Sequence, residues 1–375
     1  MPGLLPDVDP DGLLEYSVVY TDRALNHMSK RFQQVMRDLS ADLRSVYRAQ
    51  ALAIVPGSGS VGMEAVARQF ASGQPVLVIR NGWFSYRWSQ IFEMGAVASG
   101  VTVVKARMTA EGPRSPFAPA PIDEVTAAIR RERPALVFAP HVETSAGMML
   151  PDDYLRAVGA AVHEVGGLFV LDCIASGAMW VDMAGTGVDI LISAPQKGWS
   201  APPCCGLVLL GERALARIES TTSTSFSLDL RRWLQIMQAY EKGGHAYHAT
   251  LPTDSLAVLR DRVKETMAFG LDRAKAAQQQ IGEQVRRLLA ARDVPSVAAP
   301  GFQAPCVIVS YTDDPEWQST RAFAAQGLQV AAGVPLACDE PEGFSSFRIG
   351  LFGLDKLMHP ERTVATLEQA LQRMG

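Results

Sequence analysis

The 375-residue chain is poor in cysteine and in aromatic side chains, and it carries no strong charge of either sign. Its five cysteines, Cys173, Cys204, Cys205, Cys306 and Cys338, show no C-x-x-C spacing. That pattern excludes the usual zinc ribbon and dithiol redox centre, and an odd count does not suit a stapled secreted domain. A net charge of −4 leaves no broad basic field for nucleic acid, so small anions must be held by local sites. No apolar run reaches the length of a membrane span. The opening MPGLLPDVDPDGLLEY has acids and prolines where a signal peptide needs positive charge and an apolar stretch. Reduced, mostly buried thiols in a cytoplasmic protein are therefore expected. The chain has no G-x-x-x-x-G-K-[ST], H-E-x-x-H or G-x-S-x-G, and His27, His163, His245, His248 and His359 form no ligand set, so no metal is expected.

What is present is a globular composition, 48% hydrophobic and 20% charged, long enough for two domains. Residues 1–25 read as an N-terminal arm lining the entrance of a site, with a short strand at 13–21. Apolar residues at spacings of three and four make 29–47 an amphipathic helix. Short apolar strands at 51–55, 76–80, 97–105, 136–139, 168–171, 190–193 and 206–210 then alternate with helical segments. This pattern predicts an α/β fold in which helices cover both faces of a mostly parallel, seven-stranded sheet. The large domain is expected over 26–252. A smaller C-terminal α/β domain is expected over 253–375, opening with one long helix at 254–292.

The chemistry concentrates around ILISAPQKGWSAPPCCGLVLL, residues 190–210, where two apolar strands flank a turn holding Lys197. Asp172 ends an apolar strand 25 residues upstream, and Gly57-Ser58-Gly59-Ser60-Val61-Gly62 forms a strand-to-helix turn. The turn satisfies G-x-G-x-x-G, but the next strand ends in Arg80-Asn81 where a dinucleotide site needs an acid for the ribose. A nest for one phosphate is the better reading. Ser58, Asn81, Glu143, Asp172 and Lys197 each follow a strand, the edge at which ligands of parallel sheets collect. An amine, a carboxylate and an anion cradle are the contacts that pyridoxal phosphate requires: a Schiff-base lysine, a partner for the ring nitrogen and a phosphate nest.

With these residues in place, the chain resembles the class V aminotransferases of the fold type I pyridoxal phosphate enzymes. It is nearest to the alanine-glyoxylate, serine-pyruvate and 2-aminoethylphosphonate-pyruvate group. The turn Gly57 to Ser60, with Met63-Glu64-Ala65 after it, is similar to the family's phosphate turn. Asn81 to Arg87 is similar to its N-G-x-aromatic-G-x-R segment, which implies that Phe84 stacks on the cofactor ring. His141 to Gly147 resembles its segment beside the ring hydroxyl, implying cofactor contacts for Glu143 and Thr144 and either a catalytic or a supporting place for His141. Asp172 falls at the ring-nitrogen aspartate, and Gln196-Lys197 resembles the phosphate-binding glutamine and Schiff-base lysine. Tyr247 and Thr250 match a Y-x-x-T that reaches the partner subunit's phosphate, which implies a homodimer with shared sites. Arg348 in Arg348-Ile349-Gly350 matches the clamp for the substrate carboxylate.

The resemblance implies a ping-pong aminotransferase moving an amino group from alanine or serine to glyoxylate or pyruvate. A 2-aminoethylphosphonate-type transaminase is the alternative. A β-lyase or cysteine desulfurase is a further one, with Cys338 or Cys173 as its thiol. One segment departs from the family. A G-P-rich stretch is replaced by Tyr16 to Arg23, and Arg23, Lys30 and Arg87 would favour an acidic or phosphonate-bearing donor.

Overall fold

The computed structural model describes residues 13–374, so residues 1–12 of the expected arm lie outside the described residues. Helix α1 (Lys30–Tyr47) begins where the Ser29 hydroxyl accepts the Phe32 N–H. It buries Phe32, Val35, Met36, Leu39 and Leu43 along one stripe. The central sheet comprises β1 (Ala51–Pro56), β2 (Pro75–Arg80), β3 (Gly100–Lys105), β4 (Leu136–Pro140), β5 (Leu168–Asp172), β6 (Ile190–Ser193) and β7 (Cys205–Leu210). Their spatial order is β1-β7-β6-β5-β4-β2-β3. Only β7 runs against its neighbours, with Leu210 opposite both Ala51 and Ile190. The sheet is thus mostly parallel and seven-stranded, and β4, β5, β6 and β7 are buried at every position. Helices α2 (Gly59–Phe70) and α3 (Trp83–Met94) follow β1 and β2 directly, so their N-termini open on the carboxyl edge.

The C-terminal domain is an antiparallel sheet of β8 (Val307–Tyr311), β9 (Ala331–Ala332) and β10 (Ser346–Gly350), with β10 central. Ile308, Phe347 and Ile349 pack there against Ile281, Val285, Leu367 and Leu371. The long helix expected at 254–292 is two helices, Thr253–Phe269 and Leu271–Ala290, parted at Gly270 with φ +100°. Glycine adopts that conformation without a Cβ penalty, and the break redirects the chain. Leu256, Leu259 and Val263 pack with the large domain, whereas Ala274, Ile281 and Val285 pack with the small one. The buried faces of the two helices thus belong to different cores.

Other differences are local. The segment expected to be a strand at 13–21 is irregular because its polar groups bond to one another: the Glu15 N–H donates to Asp22, and the Asn26 amide donates to Glu15. The helix expected at 316–325 is broken at Thr320, φ +65°, and Leu354–Met358 is a helical turn that the pattern did not indicate. Among the described residues no helix is long and apolar enough to cross a membrane.

Close approach of α2 to β7 depends on facing glycines. A Cβ on Gly206 would lie 2.7 Å from the Gly62 Cα and 2.9 Å from its nitrogen. Gly206→Ala is therefore expected to destabilise the protein by about 1–3 kcal/mol through overpacking. Urea denaturation should show a lower midpoint at unchanged slope, and an unchanged midpoint would contradict the packing account.

Candidate active site

The loop from β6 to β7 holds Lys197 rigidly by its neighbours. Trp199 is buried, stacked on Trp180 at 4.6 Å between ring centres and edge-on to Tyr47. Ala201 N–H donates to the Pro195 carbonyl, and Leu354 N–H donates to the Ser200 hydroxyl, which ties the small domain to the loop. A Cβ at Gly198 would stand 2.3 Å from the Gly177 carbonyl oxygen, so only glycine fits beside the lysine. With the backbone fixed, the Lys197 amine projects to 5.9 Å from the Phe84 ring centre and 5.2 Å from that of Phe352. Burial lowers its pKa, Asp172 opposes that shift, and the Arg348 and Arg87 guanidiniums add to it.

Asp172 ends β5 opposite Pro140 of β4. The Ile174 N–H donates to its carboxylate at 2.9 Å. Burial pushes this carboxyl up to about 6, against the pull of that hydrogen bond, Lys197 and Arg87 and with the push of Glu143. His141 is buried on the neighbouring strand end; its backbone N–H donates to the Asp172 carbonyl and its Nδ1 lies 2.8 Å from the Ser176 hydroxyl. Burial, reinforced by Lys275, pushes the imidazole down to about 4, so it is neutral at pH 7.

The first turn of α2 supplies the anion cradle. Ser58 is its N-cap, its hydroxyl accepting from the Val61 N–H. A Cβ on Gly59 would meet Ile174 at 2.5 Å, so bare backbone faces the cavity there. Ser60 accepts a hydrogen bond from Arg87 Nη1 at 3.0 Å. Ser58, Gly59, Ser60, Phe84, Arg87, Thr144, Asp172, Gln196 and Lys197 line one cavity of about 240 Å³.

Glu143 is placed differently from the expected contact with the cofactor. Its fully buried carboxylate accepts from the Phe84 and Ser85 N–H groups, at 3.2 and 2.9 Å, and from the Ser145 N–H and hydroxyl. It therefore caps α3, the position where a carboxylate meets unpaired donors and the positive end of the helix dipole. A Cβ on Gly82 would fall 2.7 Å from this carboxylate, which explains the glycine before Trp83. Glu143 positions Phe84, whereas Thr144 beside it lines the cavity.

Arg348, on β10, donates to the Ala332 carbonyl and stands with its guanidinium carbon 5.6 Å from the Phe84 ring centre. Phe84 thus has Arg87, Lys197 and Arg348 around it, at 4.7, 5.9 and 5.6 Å. Tyr247 and Thr250 do not line the cavity; they bond to each other at 3.1 Å on an exposed surface, with Tyr247 53% exposed. Arg23 and Lys30 are exposed and outside the cavity lining, unlike Arg87. Cys338 is buried and its thiol is pushed up to about 12, chiefly by burial, and Cys173 is raised well above its ordinary value by burial. Neither is a mobile nucleophile. Sequence reasoning missed Ile174 and Phe352: one follows Asp172 by two residues and the other Arg348 by four, but each reads as ordinary core.

The architecture is that of the fold type I pyridoxal phosphate-dependent transferases, with the lysine, aspartate and helix N-terminus gathered at the carboxyl edge of the sheet. The sequence profile "Aminotransferase class-V" matches residues 13–341, and the chain belongs to that family. It is 25% identical to alanine–glyoxylate aminotransferase of Oryctolagus cuniculus, over 93% of this chain and 87% of the relative. It is 28% identical to 2-aminoethylphosphonate–pyruvate transaminase of Burkholderia ambifaria, over 92% and 89%. It is 26% identical to the "soluble hydrogenase, small subunit" of a Synechococcus species, over 94% and 88%. The crystal structure of alanine–glyoxylate aminotransferase from Nostoc sp. superposes with a TM-score of 0.79 at 22% identity, covering 93% of this chain and 88% of that one. This last likeness is one of fold.

Asp172 yields a test of the electrostatics. Its folded pKa is raised from 3.8 to about 6, so without a bound cation it stabilises the fold below about pH 4 and loses that contribution as pH rises through 6. Cofactor-free Asp172→Asn should therefore be more stable than the parent at pH 8, by on the order of 2 kcal/mol, with the gap closing toward pH 4. Thermal melts at both pH values check this, and a variant less stable at pH 8 would contradict it.

Proposed function

We propose that the chain is a pyridoxal phosphate-dependent transaminase that moves an amino group from a small amino acid, alanine or serine, to glyoxylate or pyruvate. The observation that carries this reading is the single cavity of about 240 Å³ in which Lys197, Asp172 and the N-terminus of α2 converge. The donor set fits the cofactor: an amine for its aldehyde, a buried carboxylate for its ring nitrogen, and bare backbone N–H groups for its phosphate. Lys197 would hold the aldehyde carbon, Asp172 the ring nitrogen, Ser58, Gly59, Ser60 and Gln196 the phosphate, and Phe84 one face of the ring. When bound, the cofactor would supply an electron-accepting ring for the charge left at a donor's α-carbon.

The chain's own groups do the remainder. The depressed pKa of Lys197 enlarges the neutral fraction of its amine, the form able to take a proton from the α-carbon and return it. Asp172, ionised once it faces a cation, fixes charge at the floor of the cavity. Arg348 offers a bidentate fork to the substrate carboxylate. Glu143 keeps Phe84 in place, and the backbone N–H of His141 braces the Asp172 carbonyl.

A phosphonate-bearing donor would need a second anion site besides Arg348. Arg87 is the arginine that lines the cavity, and it is bound to Ser60 of the phosphate turn, which favours a donor with a single carboxylate. The desulfurase alternative lacks an accessible thiol, since all five cysteines are free and buried. As part of the same proposal, the protein works in the cytoplasm as a homodimer, its exposed Tyr247 and Thr250 completing the site of a second copy. Exposed Tyr16, Val18 and Phe226 are suited to an interface of that kind.

The test incubates the holoenzyme with alanine, serine or 2-aminoethylphosphonate against glyoxylate or pyruvate, with products separated by chromatography. Alanine or serine should give turnover, and Arg348→Gln should lower kcat/KM about 10–100-fold. Turnover confined to the phosphonate, or an Arg348→Gln enzyme of full efficiency, would overturn the assignment.

A further inference from the structure

Arg87 is the charged group of the cavity to which the scheme above gives no part. It lies on α3 three residues beyond Phe84, one helical turn away, with its guanidinium carbon 4.7 Å from that ring centre. Its Nη1 donates to the hydroxyl of Ser60, the second residue of α2, at 3.0 Å. Among the described residues no carboxylate pairs with it. A partly buried cation stacked on an aromatic face and aimed at a helix N-terminus is arranged for an anion.

The charge balance of the cradle points the same way. A phosphate monoester carries about −1.5 to −2 near pH 7. The end of α2 is worth only about +0.5. The hydroxyls of Ser58, Ser60 and Thr144 and the amide of Gln196 are neutral. With Lys197 taken by the aldehyde, Arg87 is the remaining full positive charge among the side chains that line the cavity.

We propose that Arg87 is a ligand of the cofactor phosphate, a guanidinium contact that completes the α2 cradle; this rests on the cofactor reading given above. It also links the two ends of the cofactor site. Phe84, which covers the ring, and Arg87, which holds the phosphate, share one face of one helix, and Glu143 anchors that helix by its first turn. Because the guanidinium is committed to the cofactor, it is not free for a second anionic group on the donor.

The experiment titrates pyridoxal phosphate and pyridoxal separately into full-length, cofactor-free protein, following absorbance and tryptophan fluorescence. Wild type, Arg87→Gln and Arg87→Lys are compared. Arg87→Gln should weaken pyridoxal phosphate about 10–100-fold and leave pyridoxal unchanged, with Arg87→Lys between the two. Equal weakening of both ligands would show that Arg87 merely props Phe84, and unchanged affinity for pyridoxal phosphate would remove it from the site; either overturns the proposal. If Arg87→Gln does not fold, as judged by circular dichroism, the ratio of the two affinities in Arg87→Lys decides in the same way. A wild-type protein that binds neither ligand would instead overturn the cofactor reading itself.

Discussion

Burial of unlike charges at the carboxyl edge of an apolar sheet is the constraint on which this structure turns. Strands β4 to β7 are buried at every position, so a group placed at their ends loses water on most sides. Desolvation there drives the Asp172 carboxyl up and the Lys197 amine down, and their mutual attraction recovers only part of the cost. A protein tolerates such a site when a ligand restores what burial removes. A cationic ring nitrogen beside Asp172 and a carbonyl carbon beside Lys197 would do so, and the desolvation these two groups bear would then contribute to affinity for such a ligand.

The backbone around these charges is held by close approaches as well as by hydrogen bonds. Gly198 packs against the Gly177 carbonyl, Gly206 against Gly62, and Gly59 against Ile174, each where a Cβ would stand under 3 Å from a neighbour. These contacts pull the lysine loop, α2 and β5 into a space that a larger residue would prop open. The Trp199–Trp180 stack and the Ser200–Leu354 hydrogen bond then carry that rigidity into the small domain, where Arg348 stands. Precise placement of reactive groups is what such packing contributes to catalysis.

Much of this was legible in the amino-acid order. Apolar strands alternating with helices implied the parallel sheet, and the residues closing each strand implied the edge at which a ligand sits. Lys197, Asp172, Ser58 and Phe84 come together in the cavity because each lies at or within four residues of the carboxyl end of its strand. What escaped had physical causes. Gly270 lies within an otherwise continuous helical pattern, and only its φ of +100° shows that the helix ends there. Glu143 carries the same motif whether it meets a ligand or caps a helix, and its hydrogen bonds to the first turn of α3 are visible only in the structure. The hydrogen bond from Arg87 to Ser60 joins residues 27 positions apart, which one-dimensional spacing could not show. Tyr247 and Thr250 stay apart from the cavity of their own chain, which their sequence motif does not reveal.

The central claim is that Lys197 is the residue that bonds the cofactor aldehyde. Borohydride reduction of the protein mixed with pyridoxal phosphate, followed by digestion and peptide mass mapping, tests it directly. The account predicts one stable pyridoxyl adduct, on Lys197, lost in Lys197→Ala. An adduct on another lysine, or none on the folded wild-type protein, would contradict it.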